Sequence, residues 1–179
     1  MPTPIAGTPS ARLWTPQGFQ VDGWRRAESF EAADTGSGGL ILPLQAFLDL
    51  SRDECRAADR KLGVELQPGE DLQEIVERID VLALVALAFP AFNDGRSYSK
   101  AELLRKRYDF SGALRATGQI LVDQLPLMLR VGFDEFEIVN PVLLQRVEAG
   151  QVGGIPLYYQ PGVSSERSDG SYSWRRRAS

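Results

Sequence analysis

Two aspartates and two arginines lie at or near the ends of strand-like segments in the middle of the chain. Asp94 and Arg96 belong to the turn "NDGR" that ends an apolar run, and Arg115 and Asp123 lie within and after the segment "GALRATG". Guanidinium groups bind phosphate, sulfate, sulfite and carboxylate through paired N–H donors, and carboxylates orient ligands or transfer protons. The residue types therefore indicate an anion site, or else a set of buried ion pairs.

The composition excludes many other kinds of site. The chain has no histidine and one cysteine, Cys55. A structural zinc site, a Cys-ligated iron–sulfur cluster, an intramolecular disulfide, a Ser-His-Asp triad and a Cys–His pair all need residues that are absent. No Walker or GxGxxG phosphate loop occurs either. We therefore predict no metal site, assign no cofactor, and expect any acid–base chemistry to use Asp, Glu, Lys, Tyr or Cys side chains.

Charge and hydropathy limit the partners. The 179 residues carry a net charge of −4 with a pI near 5.0, which gives the whole molecule no electrostatic reason to bind nucleic acid or an anionic membrane. The longest apolar run, residues 81–92, contains Pro90 and is too short to span a bilayer. The first residues lack a basic region followed by an apolar core. We expect a cytoplasmic protein with neither nucleic-acid nor membrane partners.

Composition divides the chain into three parts. Residues 1–38 show no clear period and end in the Gly-rich "DTGSGG", so we predict an N-terminal arm, with room for short strands, that ends in a linker. Residues 161–179 are polar and Gly/Ser-rich with several arginines, and we predict a disordered C-terminal tail. Residues 39–160 should form a single α/β domain.

Strand-like and helix-like segments alternate within that domain. The predicted strands are residues 40–42, 63–66, 81–89, 112–118 and 133–139. Five strands alternating with helices predict a parallel α/β sheet of about five βα units. Two topologies remain open, a partial TIM-like (βα) barrel and a small doubly wound sheet whose strand order reverses. The polar side of the fourth strand, with Arg115 and Thr117, favours the barrel-like arrangement.

Helix starts are predicted from capping patterns. Ser51 with Glu54, Asp71 with Glu74, and Ser99 with Glu102 have capping-box spacing, and Asn140 precedes Pro141. Pro126 should bend the helix predicted over residues 120–131 or set its true start, with Asp123 as its N-cap. Ser99 at a helix start would direct free N–H groups toward the end of the third strand.

In either topology, loops at the carboxyl ends of parallel strands form the binding edge. The predicted anion-binding residues are Arg96, Ser97, Ser99, Arg115, Thr117 and Gln119. Asp94 and Asp123 would act as counter-charges, orienting groups or acid–base residues. The alternative is that Asp94 and Arg96 pair with Arg115 and Asp123 only to balance buried charge. A basic helix face, Lys100 with residues 105–107, is either solvated or meets an acidic protein partner.

Residues 89–138 carry an ordered series of motifs. They are Phe-Pro-x-Phe-x-Asp-Gly-Arg, Leu-Leu-Arg, Leu-Arg-Ala-x-Gly, Asp-Gln-Leu and Gly-Phe-Asp-x-Phe. In these motifs the chain resembles the bacterial domain of unknown function 934 family, from about residue 40 to 160. The members of that family are described as oxidoreductases involved in sulfite reduction and are found with genes of sulfate assimilation. The resemblance implies a role in assimilatory sulfite reduction, with sulfite reductase as a partner.

Two functional hypotheses follow. The first is an accessory protein of sulfite and sulfate reduction that binds a small anion such as sulfite or docks on sulfite reductase. The alternative is a small enzyme that acts on an anionic substrate through an Arg clamp and Asp acid–base residues. The residues do not support the word oxidoreductase, because no flavin or nicotinamide fingerprint is present and siroheme or an iron–sulfur cluster would lack Cys ligands. The first hypothesis is therefore favoured.

Overall fold

A computed structural model describes residues 11–32 and 38–152. Within these two ranges, eight strands form one sheet, and six α-helices and one short 3-10 turn connect or flank them. The strands are β1 (Arg12–Thr15), β2 (Gly18–Gln20), β3 (Trp24–Arg26), β4 (Gly39–Pro43), β5 (Leu62–Leu66), β6 (Leu82–Phe89), β7 (Ala113–Gly118) and β8 (Glu135–Ile138). The helices are α1 (Leu44–Asp49), α2 (Arg52–Ala57), α3 (Gln73–Val76), α4 (Arg96–Lys106), α5 (Leu125–Val131) and α6 (Pro141–Glu148), with the 3-10 turn at Ile79–Val81.

The strand order is β2-β1-β8-β7-β6-β5-β4-β3. Strands β3 to β8 are parallel, and each lies beside its neighbour in sequence. Strand β1 is antiparallel to both β8 and β2. The predicted α/β class is confirmed, and the five predicted strands correspond to β4–β8. The prediction of a purely parallel, five-unit sheet is wrong, because the sheet is mixed and contains eight strands.

The three additional strands come from the segment predicted as an arm and linker. They are only three or four residues long, which is too short for a period-two pattern to be visible in the sequence. Within residues 11–32 the arm is therefore part of the sheet. The predicted C-terminal tail, residues 161–179, lies outside the described residues.

The order of the parallel strands decides between the two predicted topologies. A doubly wound sheet reverses its strand order at one point, and no reversal occurs between β3 and β8. Strands that follow one another in both sequence and space are typical of a βα barrel. The protein has the barrel-like arrangement, as a half-barrel.

The connection between β2 and β3 shows how strongly the sheet curls. These strands are the two edges of the sheet, yet only residues 21–23 join them. Four Cα steps cover at most about 15 Å, whereas a flat sheet of eight strands would separate its edges by about 34 Å. The sheet must therefore curve until its edges approach each other. We call its concave side the inner face.

The helices cover only the outer face. One continuous cluster joins buried helical residues such as Phe47, Leu104 and Met128 to outward-facing strand residues such as Leu87 and Phe136. The inner face has a small apolar cluster of Ile41, Leu84 and Ala86, against which Trp24 and Ala113 pack. Strand β6 is apolar on both sides because Leu87 packs in the outer cluster, whereas Leu84 and Ala86 pack in the inner one. No helix covers the inner side of β6 in the described structure.

Capping explains several element boundaries. Ser51 and Glu54 form the predicted capping box at α2, and the Asn140 side chain accepts hydrogen bonds from Val142 and Leu143 at α6. Pro126 lies in the first turn of α5 and sets its start, as predicted.

Three of the predicted caps are wrong. Helix α4 begins at Arg96 after Gly95, so Ser99 lies inside the helix. Gln124 rather than Asp123 precedes α5. At α3, Asp71 accepts a hydrogen bond from Gln73 N, but Leu72 is the N-cap residue and it makes no side-chain capping bond.

Gly118 ends β7 in a conformation that requires glycine. Its φ is +91°, and a Cβ there would lie 2.4 Å from the carbonyl oxygen of Phe89. We expect Gly118→Ala to lower the free energy of unfolding by about 2–4 kcal/mol, because strain and the clash add. Urea denaturation followed by circular dichroism measures this. The matched control is Gly95→Ala, where φ is −85° and a Cβ meets nothing within 4 Å. A loss at Gly118 no larger than at Gly95 would contradict the described β7 end.

Candidate functional site

Arg115 lies in the middle of β7 and points to the inner face. Its neighbours Leu114 and Ala116 pack in the outer cluster, so the alternation of the strand turns Arg115 and Thr117 the other way. In the sheet register Arg115 pairs with Ala86 and Glu135. It therefore lies at mid-sheet, and not at the strand end where the sequence predicted it.

The Arg115 guanidinium is fully buried and held by two carboxylates. Nη1 and Nη2 donate to Oδ2 and Oδ1 of Asp22 at 2.8 and 3.0 Å, and Nε donates to Oε2 of Glu135 at 2.8 Å. Burial acts to lower the pKa of Arg115, but the hydrogen bonds and charges of Asp22 and Glu135 outweigh it, and the pKa is raised. The Arg115 guanidinium is therefore charged near neutral pH.

A second arginine, Arg26, crosses the inner face. Its Nε donates to Glu65 on β5 at 3.1 Å, and its Nη2 donates to Glu137 on β8 at 2.7 Å. The hydroxyl of Thr117 donates to the other oxygen of Glu65 at 2.9 Å. Because β3 and β8 are five positions apart in the strand order, Arg26 reaches Glu137 only in a curled sheet.

These contacts form two hydrogen-bonded groups on the inner face, one around Arg115 and one around Arg26, and together we call them the inner network. Its members are Asp22, Arg26, Glu65, Arg115, Thr117, Glu135 and Glu137. Two guanidinium groups face four carboxylates, so the network carries two net negative charges. An additional anion has no free guanidinium to bind in the described arrangement, because both arginines are already paired.

Sequence reasoning found only Arg115 and Thr117 of this network. The alternation "EFEI" in β8 could have placed Glu135 and Glu137 on one face, opposite Phe136 and Ile138. No sequence signal indicated Asp22 or Arg26, because their role depends on the curl of the sheet.

At the end of β6, Asp94 and Arg96 pair with each other. Arg96 donates from Nε and Nη2 to the carboxylate of Asp94 at 3.0 and 2.6 Å, and its side chain is 63% exposed. The hydrogen bond from the Arg96 side chain lowers the pKa of Asp94 to about 2. Arg96 and Arg115 therefore have different carboxylate partners, and the predicted pairing of the Asp94 and Arg96 set with Arg115 and Asp123 does not form.

The other predicted anion-binding residues have separate positions. Ser97 is buried, and its hydroxyl donates to the carbonyl of Ala88 at 2.7 Å, which ties α4 to β6. Ser99 is exposed on α4. The backbone N–H of Gln119 donates to Phe89 O at 2.7 Å.

Asp123 lies exposed before α5, near Tyr98. Burial, with a smaller effect of the Asp123 charge, raises the pKa of Tyr98 to about 12. The Tyr98 hydroxyl has no hydrogen-bond partner among the described residues.

Two of the four charges of the predicted basic helix face contact neighbouring loops, and a third, Lys106, pairs with Glu102 on the same helix. Lys100 donates to the carbonyls of Gln67 and Pro68 at 2.6 and 3.2 Å. Arg105 donates to Gly132 O and Gly112 O at 3.0 and 2.8 Å and also contacts Phe110 O and Asp134. These side chains fasten α4 to neighbouring loops, which leaves fewer charges for a partner.

Exposed apolar residues collect at the carboxyl ends of the last parallel strands. We call Phe92, Leu127, Val139 and Val142 the strand-end apolar residues; they are 55%, 47%, 38% and 60% exposed. Phe92 follows β6, Leu127 lies in the first turn of α5 after β7, and Val139 and Val142 follow β8. Since β6, β7 and β8 are adjacent and parallel, their carboxyl ends lie side by side, and all four residues belong to this end of the sheet. Gln124 Nε2 also donates to Phe92 O at 2.7 Å, linking two of the loops.

Two kinds of site are not found within residues 11–32 and 38–152. No group of three or more His, Cys, Asp or Glu side chains is arranged to hold a metal ion. No helix in these ranges has the length and hydropathy needed to cross a membrane.

A family model matches more than half of the chain. The family model described as "Bacterial protein of unknown function (DUF934)" matches residues 63–169. The match begins within β5 and includes β6 to β8, and it contains Glu65, Arg115, Glu135 and Glu137 of the inner network. No curated protein matches the chain.

The ion pair between Arg26 and Glu137 gives a test of the curvature of the sheet. We expect a double-mutant cycle of Arg26→Met and Glu137→Gln to give a coupling energy of about 0.5–1 kcal/mol in urea denaturation, the size typical of a partly exposed ion pair. The matched control cycle combines Arg26→Met with Glu102→Gln, because Glu102 pairs with Lys106 instead. No coupling between Arg26 and Glu137 would mean that β3 and β8 do not approach across the inner face.

The local pair at the end of β6 has a pH signature. We expect the Asp94 carboxyl carbon to titrate by NMR with a midpoint of about 2, compared with the ordinary value of 3.8, because the Arg96 side chain stabilises the carboxylate. Since the folded pKa is depressed, the pair stabilises the protein above pH 3.8, and that contribution is lost as the pH falls toward 2. Arg96→Ala should return the midpoint toward 3.8, and an unchanged midpoint would exclude Arg96 as the cause.

Proposed function

The chain belongs to the family of bacterial proteins of unknown function DUF934, and from this premise we propose that it is an accessory protein of assimilatory sulfite reduction that docks on sulfite reductase. The pathway comes from the sequence resemblance. The docking role rests on one observation, which is the group of exposed apolar side chains at the carboxyl ends of β6, β7 and β8.

The strand-end apolar residues have the character of a docking surface. An exposed Phe and several aliphatic side chains at one edge lose water-accessible apolar area when a partner covers them. Arg96 is 63% exposed and lies in the same loop as Phe92. Aromatic and Arg side chains are the residue types that most often dominate binding energy at protein interfaces. A partner with an apolar surface would fit this end of the sheet.

The alternative, a small enzyme with an Arg clamp for an anionic substrate, has weaker support. It requires Arg96 and Arg115 to face one ligand, but Arg96 pairs with Asp94 and Arg115 pairs with Asp22 and Glu135. With a pKa of about 2, Asp94 is a poor general base near neutral pH. Docking therefore accounts for more of the described surface than acid–base catalysis does.

A capture experiment tests the docking role. The purified, tagged protein is immobilised and exposed to purified sulfite reductase. We expect the wild-type protein to retain the reductase, and Phe92→Ala combined with Val142→Ser to weaken retention by about tenfold or more, because truncation of central apolar contacts typically costs at least 1–2 kcal/mol.

The matched control is Leu103→Ala, which alters a 39% exposed apolar side chain in the second half of α4, outside the strand-end apolar residues. It should retain the reductase as the wild type does. The growth of a deletion strain on sulfate, compared with growth on cysteine, gives the physiological test. Failure of the wild-type protein to bind the reductase, together with normal growth of the deletion strain on sulfate, would refute the proposal.

A further inference from the structure

We propose that the place on Arg115 now taken by the Asp22 carboxylate is a binding site for a small oxyanion, for which Asp22 is a built-in competitor. This inference concerns the inner network and goes beyond docking at the strand ends. It does not depend on sulfite reductase, so either proposal can fail while the other holds.

The geometry at Arg115 is that of an oxyanion receptor. Asp22 presents two oxygens to Nη1 and Nη2 at 2.8 and 3.0 Å, which is the bidentate arrangement that guanidinium forms with carboxylates and related oxyanions. The Glu135 carboxylate accepts from Nε at 2.8 Å and fixes the direction of the guanidinium. The two N–H groups would therefore remain preorganised if Asp22 turned away.

The Asp22 position opens to water although Arg115 does not. The Arg115 side chain is fully buried, whereas the Asp22 side chain is 35% exposed. Val21 beside it is 95% exposed, and a Cβ added at Gly23 would meet nothing within 4 Å. A small anion could therefore reach the guanidinium from the solvent around residues 21–23, which join β2 to β3.

Release of Asp22 does not require the arm to leave the sheet. The buried residues Leu13 and Trp14 hold β1 in place, and Gly23 O accepts a hydrogen bond from Gly39 N at 2.9 Å. Apart from Arg115, the Asp22 carboxylate accepts only the Trp24 N–H in the described structure, at 3.0 Å. Rotation of one side chain is then sufficient to vacate the position.

The two N–H groups that donate to Asp22 need another acceptor when Asp22 is absent. Without Asp22, the buried guanidinium would keep only the carboxylate of Glu135, and buried N–H groups left without an acceptor are unfavourable. A bound oxyanion would supply the missing acceptors. Arg115 and Glu135 also lie within the family match at residues 63–169, whereas Asp22 lies outside it.

The test is chemical rescue of Asp22→Ala. The melting temperature of this variant is measured with sodium formate, sulfite, sulfate or chloride at equal ionic strength. We expect Asp22→Ala to melt below the wild type. Formate or sulfite should raise its melting temperature by about 3–5 °C for each tenfold increase in concentration above the dissociation constant, with chloride as the baseline. Comparison of formate with sulfite shows whether carboxylates or sulfur oxyanions fit better.

Two controls identify Arg115 as the receptor. The wild-type protein should need at least about tenfold more formate for the same rise, because tethered Asp22 competes at a high effective concentration. Asp94→Ala removes the carboxylate from the other bidentate pair, but Arg96 is 63% exposed, so no comparable rescue is expected there. Equal rescue of Asp94→Ala and Asp22→Ala would indicate a general ionic effect and overturn the proposal.

The result stays decisive if Asp22→Ala is unfolded in chloride. Circular dichroism then measures whether formate or sulfite refolds the variant, which is the same binding event observed as folding. Refolding by either anion supports the site. Absence of any oxyanion effect on the melting or the refolding of Asp22→Ala overturns it, and leaves the docking proposal unaffected.

Discussion

The burial of the Arg115 charge is the constraint on which the rest of the fold depends. A guanidinium that is removed from water costs several kcal/mol unless carboxylates and hydrogen bonds replace the lost hydration. Its two carboxylate partners come from separate parts of the chain, since Asp22 is 93 residues away and Glu135 is 20 residues away. The N-terminal arm, β7 and β8 must therefore be in place together before this charge is balanced.

Polar contacts across the inner face also account for the shape of the sheet. An open α/β sheet usually has helices on both faces, whereas here the inner face is filled largely by charged side chains that meet across the curl. Arg26 joins β5 to β8, and Thr117 joins β7 to β5. Such contacts have a short reach, so they form only when the strands curve around them. The apolar cluster on this face is small, and the polar pairs supply most of its specific contacts.

The side chains on the outside of the fold divide into polar groups that hold α4 in place and apolar groups that remain exposed. Lys100 and Arg105 look basic in sequence, yet they donate to backbone carbonyls and fasten helix α4 to the loops around it. Ser97 ties the same helix to β6. The strand-end apolar residues have no such role, and they remain exposed at the edge where α/β proteins usually bind their partners and ligands. The proposed docking role therefore uses that end of the sheet and not the basic helix.

The sequence by itself determined the α/β class, the positions of β4 to β8 and the helix caps at Ser51 and Asn140, because these depend on local periodicity and on hydrogen bonds between near neighbours. It also singled out Arg115 as a charge that needs partners. Only the tertiary structure decided which partners those are. Asp22 and Arg26 lie in strands and loops too short to show a pattern, and they reach Arg115 and Glu137 only because the sheet curls. Curl depends on contacts between residues far apart in the chain, which local spacing does not encode.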